Sequence, residues 1–181
     1  MVDALLALLS EGSLRPTGAS IASRAGVSLR SVFQHFDDLE GLYAAVAARQ
    51  SDRIDAMRVP LPSSGPLEAR VSAFVDQRAR VYEFIAPVRR AAILQEPFSP
   101  TLQRGRDRLD RVGASELDDV FASELLVVDR AARRDVAAAL RSASSWEAWE
   151  HLRSRQHLGV AGAKRAMVRA VTALLRYLPE V

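Results

Sequence analysis

A chain of 181 residues, 49% hydrophobic and 26% charged, has ample apolar material for a core, which excludes a disordered protein and fits one or two small domains. Net charge is only +3, and 24 of the 25 basic residues are arginine, so bulk charge argues weakly for an anionic partner and its distribution must decide. The absence of cysteine excludes disulfides and thiolate metal sites, and no apolar run approaches the roughly 18 residues of a membrane span.

The first element is a short helix from Asp3 to Gly12, with Leu5, Leu6 and Leu9 on one stripe. Its flanks, MVDALLALLSEG, lack a basic leader and a small-residue cleavage site, so a cytoplasmic protein without a signal peptide is expected. A second helix opens after Pro16 with Thr17 as N-cap and ends at Gly26. A third opens on Ser28 and runs to His35. Asp37 or Asp38 caps a fourth, whose Leu39, Leu42, Tyr43, Val46, Ile54 and Met57 recur at helical spacing.

VPLPSSGP, residues 59 to 66, reads as a linker. Beyond it, Leu67–Ile85 forms a fifth helix that Pro87 separates from a short sixth ending near Leu94. A loop over Glu96–Pro100 precedes a seventh helix, Thr101–Phe121, and an eighth spans Asp129–Arg155. HLGVAG interrupts, and Ala163–Leu178 closes the chain with Met167, Val168, Val171, Leu174, Leu175 and Leu178 on a broad stripe. Alternation at period two is nowhere sustained, so the expected architecture is all-α, with about nine helices. It divides into a domain of residues 1–58, comprising a three-helix helix-turn-helix and a connecting helix, and a helical bundle of residues 59–181.

SIASRAGVSLRSVFQHF, residues 20 to 36, has the spacing of a helix-turn-helix. Ala22 is small where the helices cross, and Gly26 can take the left-handed backbone of the turn. Val32 points into a core shared with Ile21, Val27 and Phe36. The second helix then exposes Leu29, Arg30, Ser31, Phe33, Gln34 and His35. From Gly12 to Phe36 there is no carboxylate, while Arg15, Arg24 and Arg30 are present. Such a helix suits a major groove, where Arg reads guanine, Gln reads adenine, and an acid would repel phosphate.

The stretch TGASIASRAGVSLRSVFQHFDDLEGLYAAV, residues 17 to 46, resembles the DNA-binding signature of the TetR family of bacterial transcriptional regulators. Thr17 ahead of the Ile21–Ala22 pair, RAGVS, and the aromatic-x-His-Phe ending carry the likeness. SWEAWEHLRSRQHLGV, residues 145 to 160, is similar to the C-terminal part of some members. The resemblance implies a double-stranded DNA operator and a homodimer built on the last two helices. It also implies a small-molecule effector held in the middle helices, which relieves repression. The DNA-contacting set is then Thr17, Ser28, Leu29, Arg30, Ser31, Phe33, Gln34 and His35; the effector's lining is not assigned. Phe33 stands where the family commonly has Tyr, Leu39 where it has Lys, and the basic arm ahead of the first helix has no counterpart. Each difference removes attraction to phosphate, so a shallow salt dependence is expected.

Other motifs read as structural. His151 and His157, six apart, do not share a helical face, so no metal site is expected. Glu147, Glu150 and His151 lack a nucleophile, so no catalytic residues, no cofactor and no enzymatic activity are expected. Trp146 and Trp149 anchor helix packing or the dimer surface, Arg104, Arg106, Arg108 and Arg111 form a solvated face, and Arg89 and Arg90 lie at the surface. A different class of function fits the same fold: a helical small-molecule- or protein-binding dimer with a degenerate DNA-reading head.

Overall fold

Helix boundaries follow the caps and breakers of the sequence. The computed structural model describes residues 1–35 and 39–178; the expected caps Asp37 and Asp38, and Phe36 as a core residue, lie outside the described residues. The helices are α1 Val2–Ser10, α2 Gly18–Ala25, α3 Leu29–His35, α4 Leu39–Met57, α5 Leu67–Gln95, α6 Pro100–Val120, α7 Ala122–Leu126, α8 Arg130–Ala143, α9 Trp146–Glu150 and α10 Val160–Arg176. Among the described residues there is no strand, as the all-α expectation requires. None of the helices is long and apolar enough to cross a membrane.

The expected count of about nine is reached by a different division. Proline inside a helix costs about 3 kcal/mol, yet α5 continues through Pro87 to Gln95. Around it Ile85, Ala86, Val88, Ala91 and Ala92 are all buried, and apolar burial on that scale outweighs the lost hydrogen bond. Conversely, the expected helix over residues 129–155 ends at Ala143. The Ser144 hydroxyl turns back onto the Leu140 carbonyl at 2.7 Å, and Ser145 caps α9 by accepting from the Ala148 amide at 3.1 Å. A π-helical turn over residues 151–155 then leads to α10, which starts three residues before Ala163.

The chain packs as two compact units: Met1–Met57 with Phe84–Leu109, and Arg58–Glu83 with Asp110–Val181. In the first, α1 lies against α2 and α4, and α2 against α3. Leu5, Leu9, Ile21, Leu42 and Val46 form its centre together with Val88, Ala91 and Leu102. Each large buried aliphatic contributes about 1.5–3 kcal/mol. Arg89 corrects the surface reading: it pairs with the buried Glu96, which also takes Arg106 at 3.0 Å. Arg108 reaches Asp55 at 2.7 Å.

In the second unit Phe74 meets Phe121 edge-on at 5.3 Å, and Tyr82 meets Trp146 at 5.9 Å. Trp149 is wholly buried, its indole N–H donating to Glu83 at 2.9 Å, so both tryptophans are packing anchors as expected. Tyr82 donates to the Ser144 carbonyl at 2.8 Å. Two arginines, Arg58 and Arg78, converge on one carboxylate, Glu116, and Gln77 donates to it at 3.0 Å. The Arg78 guanidinium also lies 4.6 Å from the Phe74 ring centroid, and it fills the space that a Cβ at Gly113 would need.

Arg70 is buried and forks onto Glu124, with a further bond of 2.7 Å to the Val120 carbonyl. The guanidinium holds the Glu124 carboxyl below its ordinary value of 4.5. A depressed folded value means that this stabilisation is complete above 4.5 and disappears as pH falls through the folded value. Glu124→Gln is therefore expected to lower the unfolding free energy at pH 7 by about 1.5–3 kcal/mol. In urea titrations across pH, the difference from the parent protein should shrink on acidification.

Candidate nucleic-acid interface

The helix-turn-helix is built from two caps and one corner. Thr17 accepts from the Ser20 amide at 3.1 Å, while Ser20 accepts from the Thr17 amide at 3.0 Å, a reciprocal capping box. The first two amides of α2, on Gly18 and Ala19, keep no acceptor among the described residues. At the other end Gly26 takes φ +66°, which a side chain would resist. The Val27 amide reaches back to the Ala22 carbonyl at 3.0 Å, closing the corner. Ser28 then caps α3 by accepting from the Ser31 amide at 3.0 Å.

One face of α3 is spent on holding it in place. Val32, Ile21 and Ala22 are buried as expected. Val27 is not: it is 38% exposed, because it belongs to the corner and points away from the crossing. Ser31 is half-buried where exposure is expected, its hydroxyl lying 2.9 Å from that of Ser28. Gly18 is a positioning residue that reasoning from sequence overlooked. A Cβ there would come 3.1 Å from Leu29 Cδ1 and 3.3 Å from Phe33 Cζ, so the start of α2 is where α3 rests its apolar side chains. A glycine at the first position of a helix, directly after its cap, is the signal for such close approach.

The remaining face is open. Leu29, Arg30, Phe33, Gln34 and His35 are exposed, as is Thr17. Phe33 divides itself, with part of its ring over Gly18 and 49% of its surface free. Arg30 has no ion-pair partner among the described residues, so its guanidinium is available. Arg24, by contrast, is committed to Glu11 in a two-pronged pair, with Nη1 2.7 Å from Oε1. Hydrogen bonding to Arg24 holds the Glu11 carboxyl below its ordinary value. His35 Nδ1 lies 2.9 Å from the Ser31 carbonyl, which can only accept, so Nδ1 carries a proton and Nε2 faces outward from that bond. The surface thus presents one unpaired guanidinium, one amide, an imidazole nitrogen and two apolar groups, without a carboxylate on α2 or α3. Among the described residues no cluster of His, Asp and Glu has the arrangement of a metal site.

The fold matches the crystal structure of a transcriptional regulator from Rhodococcus sp. Rha1, over 99% of this chain and 96% of that one, with a TM-score of 0.72 and 19% sequence identity. The likeness establishes the fold. Neither a protein-family model nor a curated protein matches the chain.

Because Gly26 has open space around it and only its backbone angle is special, Gly26→Ala measures the corner in isolation. The substitution is expected to destabilise the protein by about 1–2 kcal/mol, read as a lowered thermal midpoint.

Proposed function

We propose that the chain is a ligand-responsive transcriptional regulator of the TetR type, a repressor that binds a pseudo-palindromic operator as a homodimer. The observation that supports this best is α3 itself: a short acid-free helix whose Arg30 and Gln34 are exposed, while Val32 anchors the opposite side. Arg30 and Gln34 then meet base edges in the major groove, the first suited to guanine and the second to adenine. Leu29 and Phe33 offer apolar contact to thymine methyl groups, Ser28, Ser31 and His35 reach sugar or phosphate, and Thr17 brings the free amides of α2 to phosphate. In a homodimer two copies of α3 would sit about 34–36 Å apart, one turn of the duplex.

Dimerisation through the C-terminal helices fits this reading, since α8 and α10 pack together and α10 keeps Val160, Ala170 and Ala173 exposed. Release by a small-molecule effector and a cytoplasmic location belong to the same proposal, as does the absence of catalysis. One observation favours the second reading, a binding dimer whose reading head has degenerated. Pairing with Glu11 removes Arg24 from the charges that would meet phosphate, leaving few cations on the surface.

Fluorescence anisotropy against duplexes from the region upstream of the chain's own gene distinguishes the two. For a regulator, one duplex binds in preference to scrambled sequence. Arg30→Ala and Gln34→Ala each weaken that preference by about 1–3 kcal/mol, roughly tenfold or more, without altering the thermal midpoint. Binding that is blind to sequence and unchanged by both substitutions would support the second reading.

A further inference from the structure

Within the first unit, a cavity of about 360 Å³ is lined by Arg15, Pro16, Glu40, Tyr43, Gln95, Phe98, Ser99 and Leu102. It is within the size range of small-molecule sites. Arg15 and Phe98 are exposed at its rim, Glu40 and Gln95 are half-buried, and Tyr43, Ser99 and Leu102 are buried.

The polar groups of the lining are incompletely matched. Glu40 is half-buried at the start of α4, and its one hydrogen bond among the described residues is from the Ser99 hydroxyl, at 3.0 Å. That hydroxyl in turn accepts from the Leu102 amide at 3.2 Å, which fixes it in place. No cation pairs with Glu40 among the described residues. Tyr43 is buried, and its hydroxyl makes no hydrogen bond among the described residues. Burial raises the Tyr43 phenol, which therefore stays a neutral donor. Arg15 lines the same cavity and makes no ion pair with Glu40.

One cation and one anion that do not neutralise each other, set among the apolar surfaces of Pro16, Tyr43, Phe98 and Leu102, define the complementary ligand. A plain organic cation would meet Arg15, and a plain anion would meet Glu40. We propose that this cavity binds a small zwitterion with an apolar body, of the α-amino-acid class. Its ammonium is held by Glu40, its carboxylate by Arg15, and its side chain by Tyr43 and Leu102. Beyond Arg15 and Pro16, the lining comes from the start of α4, the end of α5 and the start of α6, all within the first unit, and the proposal does not require α3 to read DNA.

Saturation-transfer NMR and calorimetry on the full chain test it with L-leucine, L-phenylalanine and L-tryptophan as probes. Saturable binding of at least one of them below about 10 mM is expected. Phenethylamine and 3-phenylpropionate, each lacking one charge, should bind at least about tenfold more weakly than L-phenylalanine or not at all. Glu40→Gln keeps an acceptor for Ser99, and Arg15 is exposed, so E40Q and R15Q are expected to fold; each should weaken binding at least about tenfold. The proposal is overturned by no binding of all three amino acids, by an amine or acid that binds as tightly as the zwitterion, or by binding that survives both substitutions.

Discussion

The left-handed backbone at Gly26 is the constraint on which the helix-turn-helix depends. Without it the run from Gly18 to His35 has the composition of one continuous helix, in which Val32 would be far from Ile21. With φ at +66° the chain reverses, the Val27 amide finds the Ala22 carbonyl, and Ser28 is delivered to cap α3. Val32 then closes over Ile21 and Ala22, and everything on the opposite side of α3 is left to solvent. Exposure of Arg30 and Gln34 is thus a consequence of a corner and a core contact, with no dedicated interaction to hold them outward.

Charge is arranged in the same spirit. The first unit pairs at least half of its ten arginines with its own acids: Arg24 with Glu11, Arg49 with Asp3, Arg89 and Arg106 with Glu96, Arg108 with Asp55. Apart from the pairs on the buried Glu96, these are exposed and contribute little stability, typically about 0–1 kcal/mol each. Arg30 is left as an unneutralised charge on α3, which carries no acid. The second unit does the opposite and buries charge, placing Arg58 and Arg78 on a single Glu116 and Arg70 on Glu124. Removing one partner from such a cluster leaves an uncompensated ion, which is why these contacts matter more than those at the surface.

Much of this was legible from sequence because it is written in local chemistry. Thr17 before a helix, glycine at its end and serine before the next specify caps and a turn within a few residues of themselves, and the structure places each as expected. The all-α class followed from periodicity. What was missed depends on distant partners. Pro87 should break a helix, but the burial of Ala86, Val88 and Ala91 by other helices overrides it. Arg89 looked like a surface residue until Glu96 met it seven positions on, and the pairing of Arg24 with Glu11, thirteen positions earlier, was not foreseen. Gly18 was overlooked: its place directly after the cap signals a close approach, but only the fold reveals that Leu29 and Phe33 are what approach it. Ser144–Ser145 was the one local signal overlooked, a hydroxyl that turns back followed by a hydroxyl that caps.

The proposed function requires that α2 and α3 meet DNA. Amide chemical-shift mapping by NMR, titrating a duplex from the chain's own upstream region into labelled protein, reads that surface residue by residue. Shifts concentrated at Thr17–Ser20 and Ser28–His35, with the buried Val32 moving least among the latter, are the predicted result. Shifts confined to residues 110–178, or no saturable shifts in α2 and α3, would contradict it.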